Sequence, residues 1–242
     1  VSNRLGIKGS PNSAEEVMVA RDISLSQLTG GRLHIAHAST AGTIELVRQA
    51  KINGSNVTCE VTPHHLTLID EAVLGQGISS PFSPLTERAY DTNAKVNPPL
   101  RSKADLDAVV EGLRDGTVDF IATDHAPHSV VDKICTFDDA AHGISVLETA
   151  LGSLMALVHS GQISLPQLIQ KLTSSPANFL NHKLGALRSG FAADVTIFDA
   201  DAEWVVDSSA FASKGKNTPL DGSLLKGKIV ATIVAGRIVY GG

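Results

Sequence analysis

The chain has 242 residues, of which 43% are hydrophobic, enough for one large domain or for a medium domain and a small one. Its 20 basic and 25 acidic residues give a formal charge of −5, which argues against the basic face of a nucleic-acid or polyanion binder. No apolar run approaches the roughly 20 residues that cross a bilayer, and no apolar signal region opens the chain. Cys59 and Cys135 lack CxxC spacing, which is typical of a reducing compartment, so we expect a cytoplasmic protein.

The first half of the chain predicts alternating helices and strands. Residues 14–29 have apolar side chains at helical spacing and stop at Gly30-Gly31. Short strands are predicted at 32–37 and 56–61, on either side of a helix at 40–54. From Thr62 to Arg101 the pattern is irregular, with a long loop at 67–95, and loops of such length are commonly functional or mobile.

The second half predicts a helix at 102–116, a strand at 118–123, a helix at 143–161 and further helix over 165–180. From about Gly185 the pattern changes to short strands at 193–201, 203–207 and 228–240. We therefore predict that residues 1–184 form one domain and that residues 185–242 form a small β-sandwich tail.

The strands before residue 185 are too apolar to have a solvated face, and they alternate with helices. This pattern predicts an α/β fold with parallel pairing and right-handed crossovers. Three parallel strands alone would leave both sheet edges open. The chain is then either an unusual open sheet or the C-terminal part of a (β/α)8 TIM-type barrel whose first half is absent. We favour the barrel, which needs eight strand–helix units, of which this chain holds three in addition to its β tail.

Polar residues follow the predicted strands at the point where each strand ends. His37 ends the first strand, Glu60, His64 and His65 surround the end of the second, and FIATDHAPH places Asp124 after the third. In a barrel these ends face one rim, and imidazole with carboxylate suits Zn²⁺ or a similar divalent ion. The alternative is a strand cap followed by a polar turn. Only His37 and Asp124 are convincing ligands, whereas a catalytic zinc takes three from the protein.

Five segments together identify a family. RLHIAHAST, EVTPHHLTL, KVNPPLR, ATDHAPH and GISVLET occur in this order, and SKGKNTPLDG follows near the end. The chain strongly resembles the dihydroorotases of the amidohydrolase superfamily, of the kind found as separate bacterial enzymes. The resemblance covers essentially the whole chain. Single motifs of this kind would be weak, but five in order at compatible spacing are specific.

The resemblance implies a distorted barrel with one or two zinc ions that hydrolyses dihydroorotate to N-carbamoyl-L-aspartate, reversibly, in pyrimidine biosynthesis. By position, His37 matches a metal ligand, and Asp124 matches the aspartate that binds metal and acts as general acid and base. Four further residues match positions that hold or cover the substrate: Asn97, His128, Ala141 and Gly143. The family's HxH pair, bridging aspartate or carboxylated lysine, and HxED histidine do not occur in this sequence, so the remaining ligands are expected from the missing half.

The other polar residues have more ordinary interpretations. His34 is interpreted as a structural residue at the opposite end of its strand, and Glu60 as a buried structural acid. His64 and His65 are open between packing and support of the metal ligands, and His125 is expected to orient its neighbours. No role is assigned to Lys95 or Arg101. Three more histidines are interpreted as surface or packing residues: His142, His159 and His182.

Two rival functions stay open. A dihydropyrimidinase or allantoinase would share the fold and act on another cyclic ureide. A non-catalytic relative would serve only to bind aspartate transcarbamoylase, although the retention of His37, Asp124, Asn97 and His128 disfavours it. The expected partners are a small-molecule substrate, a second copy in a homodimer and, in addition, aspartate transcarbamoylase, with no nucleic acid and no membrane.

Overall fold

The computed structural model describes residues 1–75 and 89–241. In the first range the helices are α1 (Ser2–Leu5), α2 (Asn12–Thr29), α3 (Ala41–Ile52) and α4 (Pro63–Thr67), and the strands are β1 (Leu33–Ile35) and β2 (Val57–Val61). In the second range the helices are α5 (Lys103–Asp115), α6 (Val130–Lys133), α7 (Ala150–His159), α8 (Leu165–Leu172) and α9 (Ser174–Phe179). The strands there are β3 (Phe120–Ile121), β4 (Val195–Val205), β5 (Leu224–Val234) and β6 (Arg237–Gly241).

Strands β1, β2 and β3 form a parallel sheet in that order, which confirms the predicted α/β class. Strand β2 lies in the middle, and its residues Val57, Cys59 and Val61 are buried. Such burial is expected of a parallel strand that is covered on both faces. The described strands do not by themselves close a barrel, so the (β/α)8 arrangement stays a prediction.

Local signals in the sequence account for the helix boundaries. The Thr40 hydroxyl caps α3 by accepting the Thr43 amide at 3.1 Å, and the Ser102 hydroxyl caps α5 by accepting the Asp105 amide at 3.3 Å. Helix α5 ends at Gly116, whose φ of 88° is the left-handed conformation that glycine adopts without strain. These caps confirm the predicted positions of both helices.

The main core lies between the parallel sheet and the helices that cover it. Its fully buried members include residues of α3, β2, α5, α7 and α8: Val47, Val61, Val109, Leu113, Leu154 and Leu168. Helices α3 and α5 pack closely, because a Cβ at Gly112 would lie 2.7 Å from Ile44 Cγ2. None of the helices in the two described ranges is long and apolar enough to cross a bilayer.

The tail forms an antiparallel sheet in the order β4-β5-β6, and it packs against helix α7. A Cβ at Gly152 would lie 3.2 Å from both Leu225 and Trp204, and one at Gly227 would lie 2.7 Å from Met155 Cγ. A β-sandwich requires a second sheet facing the first, and in residues 185–241 the structure has this one sheet, covered by a helix. The described residues thus contain one sheet of the predicted β-sandwich, and the sandwich itself stays a prediction. The domain boundary at 184/185 stays a prediction.

Three boundary predictions are corrected. The segment predicted as irregular contains α4 and two 3-10 turns, Asp70–Leu74 and Thr92–Ala94, whereas residues 76–88 of its loop lie outside the described residues. The helix predicted at 143–161 begins only at Ala150, because the Ser145 and Val146 amides bond distant groups instead. The helix predicted over 165–180 is two helices, since Thr173 departs from helical geometry at φ −128° and ψ −83°.

Candidate active site

The C-terminal ends of the three parallel strands share one edge of the sheet. His37 follows β1, Asp124 follows β3, and Glu60 lies in β2 between them. The Ala38 amide donates to the Glu60 carbonyl at 3.0 Å, which continues the β1–β2 pairing toward His37. Because the pairing is parallel, residues that are distant in sequence meet at this edge.

The structure brings the two predicted metal ligands together. Nε2 of His37 lies 3.6 Å from Oδ1 of Asp124. Both residues have left-handed backbones, with φ of 54° at His37 and 47° at Asp124. Non-glycine residues in this region cost about 1–3 kcal/mol each and concentrate at functional sites. Strands β1 and β3 are thus each followed by a residue that has a left-handed backbone and a side chain of a type that binds metals.

Glu60 links the two histidines of the first strand. Its Oε1 lies 3.0 Å from His37 Nδ1, and its Oε2 lies 3.3 Å from His34 Nε2. His34 was predicted to point to the opposite end of the strand from His37. Instead, both rings lie beside the same carboxylate, that of Glu60. Nδ1 of His34 is hydrogen-bonded to Thr58 Oγ1 at 2.9 Å, and the His34 ring stacks on the ring of Phe120.

The electrostatics of this cluster follow from burial and pairing. Burial alone would raise the pKa of Glu60, but the contacts with His34 and His37 outweigh it and lower that pKa to about 2. The Glu60 carboxylate raises the pKa of His37 above 6.5 against the opposing effect of burial. Burial raises the pKa of Asp124, as expected of a carboxyl group that takes up and gives back a proton.

The two histidines of α4 have different environments. His65 is buried, with Nδ1 2.8 Å from Thr62 Oγ1 and Nε2 3.0 Å from the carbonyl of Pro98. It therefore holds the segment that contains Asn97. His64 is 3% exposed, and neither ring nitrogen has a hydrogen-bond partner in the described residues. Burial lowers the pKa of His64 well below 6.5, so its ring is neutral.

The turn that follows Asp124 packs against the segment before α7. The Ala126 amide donates to the Ile144 carbonyl at 2.9 Å, and Nδ1 of His125 accepts the Val146 amide at 3.0 Å. His128 Nε2 lies 2.9 Å from the His142 carbonyl. The predicted orienting role of His125 thus takes the form of a bond to the 143–149 backbone.

Gly143 fits tightly between these segments. Its φ is 145°, and a Cβ there would lie 2.5 Å from Ala126 Cβ and 3.0 Å from His128 Nε2. Only glycine meets both conditions. The structure therefore places two of the predicted substrate residues, His128 and Gly143, in mutual contact.

Asn97 and Ala141 are both close to His142: Asn97 lines the same cavity, and Ala141 precedes His142 in the sequence. Asn97 lines a cavity of about 460 Å³ together with Lys95, Phe137 and His142. Ala141 is held through its carbonyl, which accepts from Lys133 Nζ at 2.6 Å. Lys95, which was assigned no role, donates to the carbonyls of Asp138 and Ala140 at 2.9 and 2.7 Å. Lys95 and Lys133 thus hold the backbone of residues 138–141 through its carbonyl groups.

Whether these residues suit a metal ion is decided by their donor atoms. His37 Nε2 and Asp124 Oδ1 converge as one nitrogen and one oxygen donor, the kinds that zinc accepts. In residues 1–75 and 89–241, no group of three or more His, Cys, Asp or Glu side chains is placed to hold a metal. The roles of His37 and Asp124 as metal ligands therefore stay a prediction.

An α/β fold with histidine and aspartate donors at the carboxyl edge of parallel strands is the arrangement of barrel-type, metal-assisted hydrolases. The family model described as "Amidohydrolase family" matches residues 21–239. The chain belongs to the amidohydrolase family.

Relatives and solved structures agree with this family. The chain is 50% identical over 240 residues to the dihydroorotase of Syntrophus aciditrophicus, covering 99% of this chain and 53% of that protein. It is 53% identical to that of Pelotomaculum thermopropionicum, with the same coverage. The chain spans about half the length of the curated relatives it matches. The L-hydantoinase (dihydropyrimidinase) structure from Arthrobacter aurescens superposes with a TM-score of 0.84 at 30% identity, covering 96% of this chain and 50% of that one.

Three site residues escaped the sequence analysis: Glu60 as the direct partner of His37, Lys133, and Asn217. An acid within the apolar strand β2 was a usable signal for Glu60, because charged residues are rarely buried without a partner. Asn217 lies in SKGKNTPLDG, which the sequence analysis gave only as part of the family resemblance, with no role for its residues. Lys133 had no distinguishing pattern in the sequence.

Proposed function

We propose that this chain carries part of the active site of a dihydroorotase, which reversibly hydrolyses dihydroorotate to N-carbamoyl-L-aspartate in pyrimidine biosynthesis. The observation that carries the proposal is the distance of 3.6 Å between His37 Nε2 and Asp124 Oδ1. Both residues lie at the carboxyl edge of the parallel sheet, where the turn that contains His128 begins. The identity of 50–53% to proteins named dihydroorotase supports this substrate over other cyclic amides.

The proposal includes zinc, one or two ions, with His37 and Asp124 as ligands from this chain. We further propose that β1, β2 and β3 belong to a (β/α)8 barrel and that residues outside these 242 complete both the barrel and the donor set. The coverage of about half of each relative supports this division. When bound, zinc would lower the pKa of a water molecule toward 7 and polarise the amide carbonyl.

The residues of this chain would then act as follows. Asp124 takes the proton of the attacking water as the new C–O bond forms, and it delivers that proton to the ring nitrogen as the C–N bond breaks. Its raised pKa suits both tasks. Asn97 and His128 donate hydrogen bonds to the substrate, and the backbone at Ala141 and Gly143 covers its ring. Glu60 holds the His37 ring so that Nε2 faces Asp124.

A second candidate, a dihydropyrimidinase-type enzyme, is favoured by the superposition on L-hydantoinase at a TM-score of 0.84. A third, the non-catalytic partner of aspartate transcarbamoylase, is opposed by the presence of His37 and Asp124 in contact geometry. Homodimer formation, association with aspartate transcarbamoylase and a cytoplasmic location are proposed by family resemblance only.

A ring-opening assay separates these functions. The protein that contains this chain is offered dihydroorotate, dihydrouracil, hydantoin and allantoin, with zinc content measured on the same sample. We expect a kcat/KM for dihydroorotate at least tenfold above the others. Preference for dihydrouracil or hydantoin would establish the second candidate. No turnover by a zinc-loaded sample, together with co-purification of aspartate transcarbamoylase, would establish the third.

A further inference from the structure

Residues 213–217, which we call the 213–217 strap, cross over the two segments that carry the predicted substrate residues. The strap belongs to SKGKNTPLDG, the one motif of the sequence analysis that has received no role. Asn217 is its last residue and is 6% exposed. It lies 89 residues from His128 and 74 residues from Gly143 in sequence.

The Asn217 side chain joins these two segments with three hydrogen bonds. Its Oδ1 accepts the His128 amide at 2.8 Å. Its Nδ2 donates to the carbonyls of Ala126 at 3.0 Å and Gly143 at 2.9 Å. Two of the three hydrogen bonds thus hold the turn after Asp124, at Ala126 and His128, and the third holds the segment that contains Gly143.

The strap backbone adds contacts on both sides. The Ser145 amide donates to the Asn217 carbonyl and the Ser145 hydroxyl to the Gly215 carbonyl, each at 2.8 Å. A Cβ at Gly215 would lie 2.6 Å from Pro127 Cβ and 2.7 Å from the His128 amide nitrogen. The strap is therefore pressed against the turn so closely that a larger residue would displace it.

We propose that Asn217 is a positioning residue that sets the separation of His128 and Gly143, and thereby the fit of the cyclic substrate between them. A buried amide whose partners are backbone groups tolerates little displacement, because each broken bond leaves a buried polar group unpaired. This inference rests on the proposed function for the identity of the substrate. The strap geometry itself does not depend on it.

The test compares three variants in the protein that contains this chain. Asn217→Ala removes all three side-chain bonds. Asn217→Asp keeps the acceptor for the His128 amide and loses the donors to the Ala126 and Gly143 carbonyls. Lys214→Ala is the matched control, because Lys214 is an exposed residue of the same strap. If Asn217→Ala does not fold, Asn217→Ser replaces it.

We expect Asn217→Ala and Asn217→Asp to raise the KM for dihydroorotate about tenfold or more, since unmade buried bonds typically cost that much. Zinc content should match wild type, and Lys214→Ala should leave KM unchanged. A fall in melting temperature with unchanged KM would overturn the proposal and leave a purely structural residue. Loss of zinc in the Asn217 variants would overturn it too.

Hydrogen exchange separates this inference from the proposed function. The His128 amide should exchange faster in Asn217→Ala than in wild type, whereas Asn217→Asp should keep it protected. If wild type opens no cyclic ureide, the proposed function fails. The exchange pattern then still decides whether Asn217 holds the His128 turn, and equal protection in all variants would overturn that as well.

Discussion

The imidazole ring of His37 lies between two carboxylates, with Glu60 Oε1 3.0 Å from Nδ1 and Asp124 Oδ1 3.6 Å from Nε2. In the neutral ring, a carboxylate beside Nδ1 favours the proton on that nitrogen, which leaves Nε2 as an electron-pair donor. Glu60, the neighbour of His37 in the sheet, thus occupies Nδ1 and leaves Nε2 facing Asp124.

The proposed zinc site predicts that replacing Glu60 by glutamine weakens zinc binding about 10- to 100-fold, because the neutral amide no longer orients and polarises the His37 ring. Zinc affinity is measured by competition with a chelator. Glu45→Gln, on the exposed side of α3, is the control and should bind zinc like wild type. Equal affinity in Glu60→Gln and wild type would remove Glu60 from the metal site.

The proposed function predicts that Asp124→Asn lowers kcat for ring opening at least about 100-fold, because the amide cannot carry the proton from water to nitrogen. The melting temperature should stay close to that of wild type. Asp138→Asn changes an exposed carboxyl group in a neighbouring segment and should retain activity. Near-normal turnover in Asp124→Asn would exclude it from the mechanism.

Acidification should destabilise the fold through His65. Burial lowers the pKa of His65 to about 4 against 6.5 when exposed, so between these values the unfolded state binds more protons than the folded state. Stability from this group is therefore present above pH 6.5 and is lost as the pH falls toward 4. At 1.36 kcal/mol per pKa unit the loss is on the order of 3 kcal/mol.

Urea unfolding at pH 7 and pH 4.5 checks this expectation. The difference in unfolding free energy between the two pH values should be smaller by about 2–3 kcal/mol in His65→Gln than in wild type. His182→Gln, at an exposed position, should keep the wild-type difference. An unchanged pH dependence in His65→Gln would mean that His65 already accepts a proton in the folded state.

Arg101→Met should lower the unfolding free energy by about 3–5 kcal/mol, because it leaves the carboxylate of Glu15 buried without its cation. The side chains of Arg101 and Glu15 are 6% and 12% exposed, and Arg101 also donates to the Ser39 hydroxyl at 3.0 Å. Chemical denaturation measures the loss. Arg114→Met, which breaks an exposed pair, should change stability by less than about 1 kcal/mol.

Adding Glu15→Gln to Arg101→Met tests the stated cause. If the unpaired carboxylate produces the loss, the double variant should be more stable than Arg101→Met alone. A double variant that is less stable would assign the loss to packing instead. Because Glu15 and Arg101 both bond Ser39, this ion pair also joins the chain just after His37 to the end of KVNPPLR.

Elements with local signals were predictable from the sequence. Strand β2 follows from alternating β-branched residues, and α5 follows from its Ser102 cap and Gly116 stop. The start of α7 was not predictable, because the amides of Ser145 and Val146 bond Asn217 and His125, which no local pattern connects. In general, long-range bonds override the periodicity of the intervening residues.

The site divides in the same way. The approach of His37 to Asp124 was predictable, because each closely follows an apolar strand and parallel pairing brings such residues to one edge. The role of Glu60 required knowing that β2 lies between β1 and β3. Asn217 could not be assigned, because its partners are backbone groups, and backbone groups have no sequence signature.

The left-handed backbones at His37 and Asp124, with φ of 54° and 47°, have a consequence for how this site can change. Among non-glycine residues, asparagine, aspartate and histidine adopt this conformation most readily, and β-branched residues hardly at all. The backbone conformation thus favours side chains with nitrogen or oxygen donors at these two positions, whether or not a metal binds there. A cysteine or glutamate introduced at either position would have to overcome the chain's own conformational preference, so new metal specificity would arise more readily at neighbouring positions.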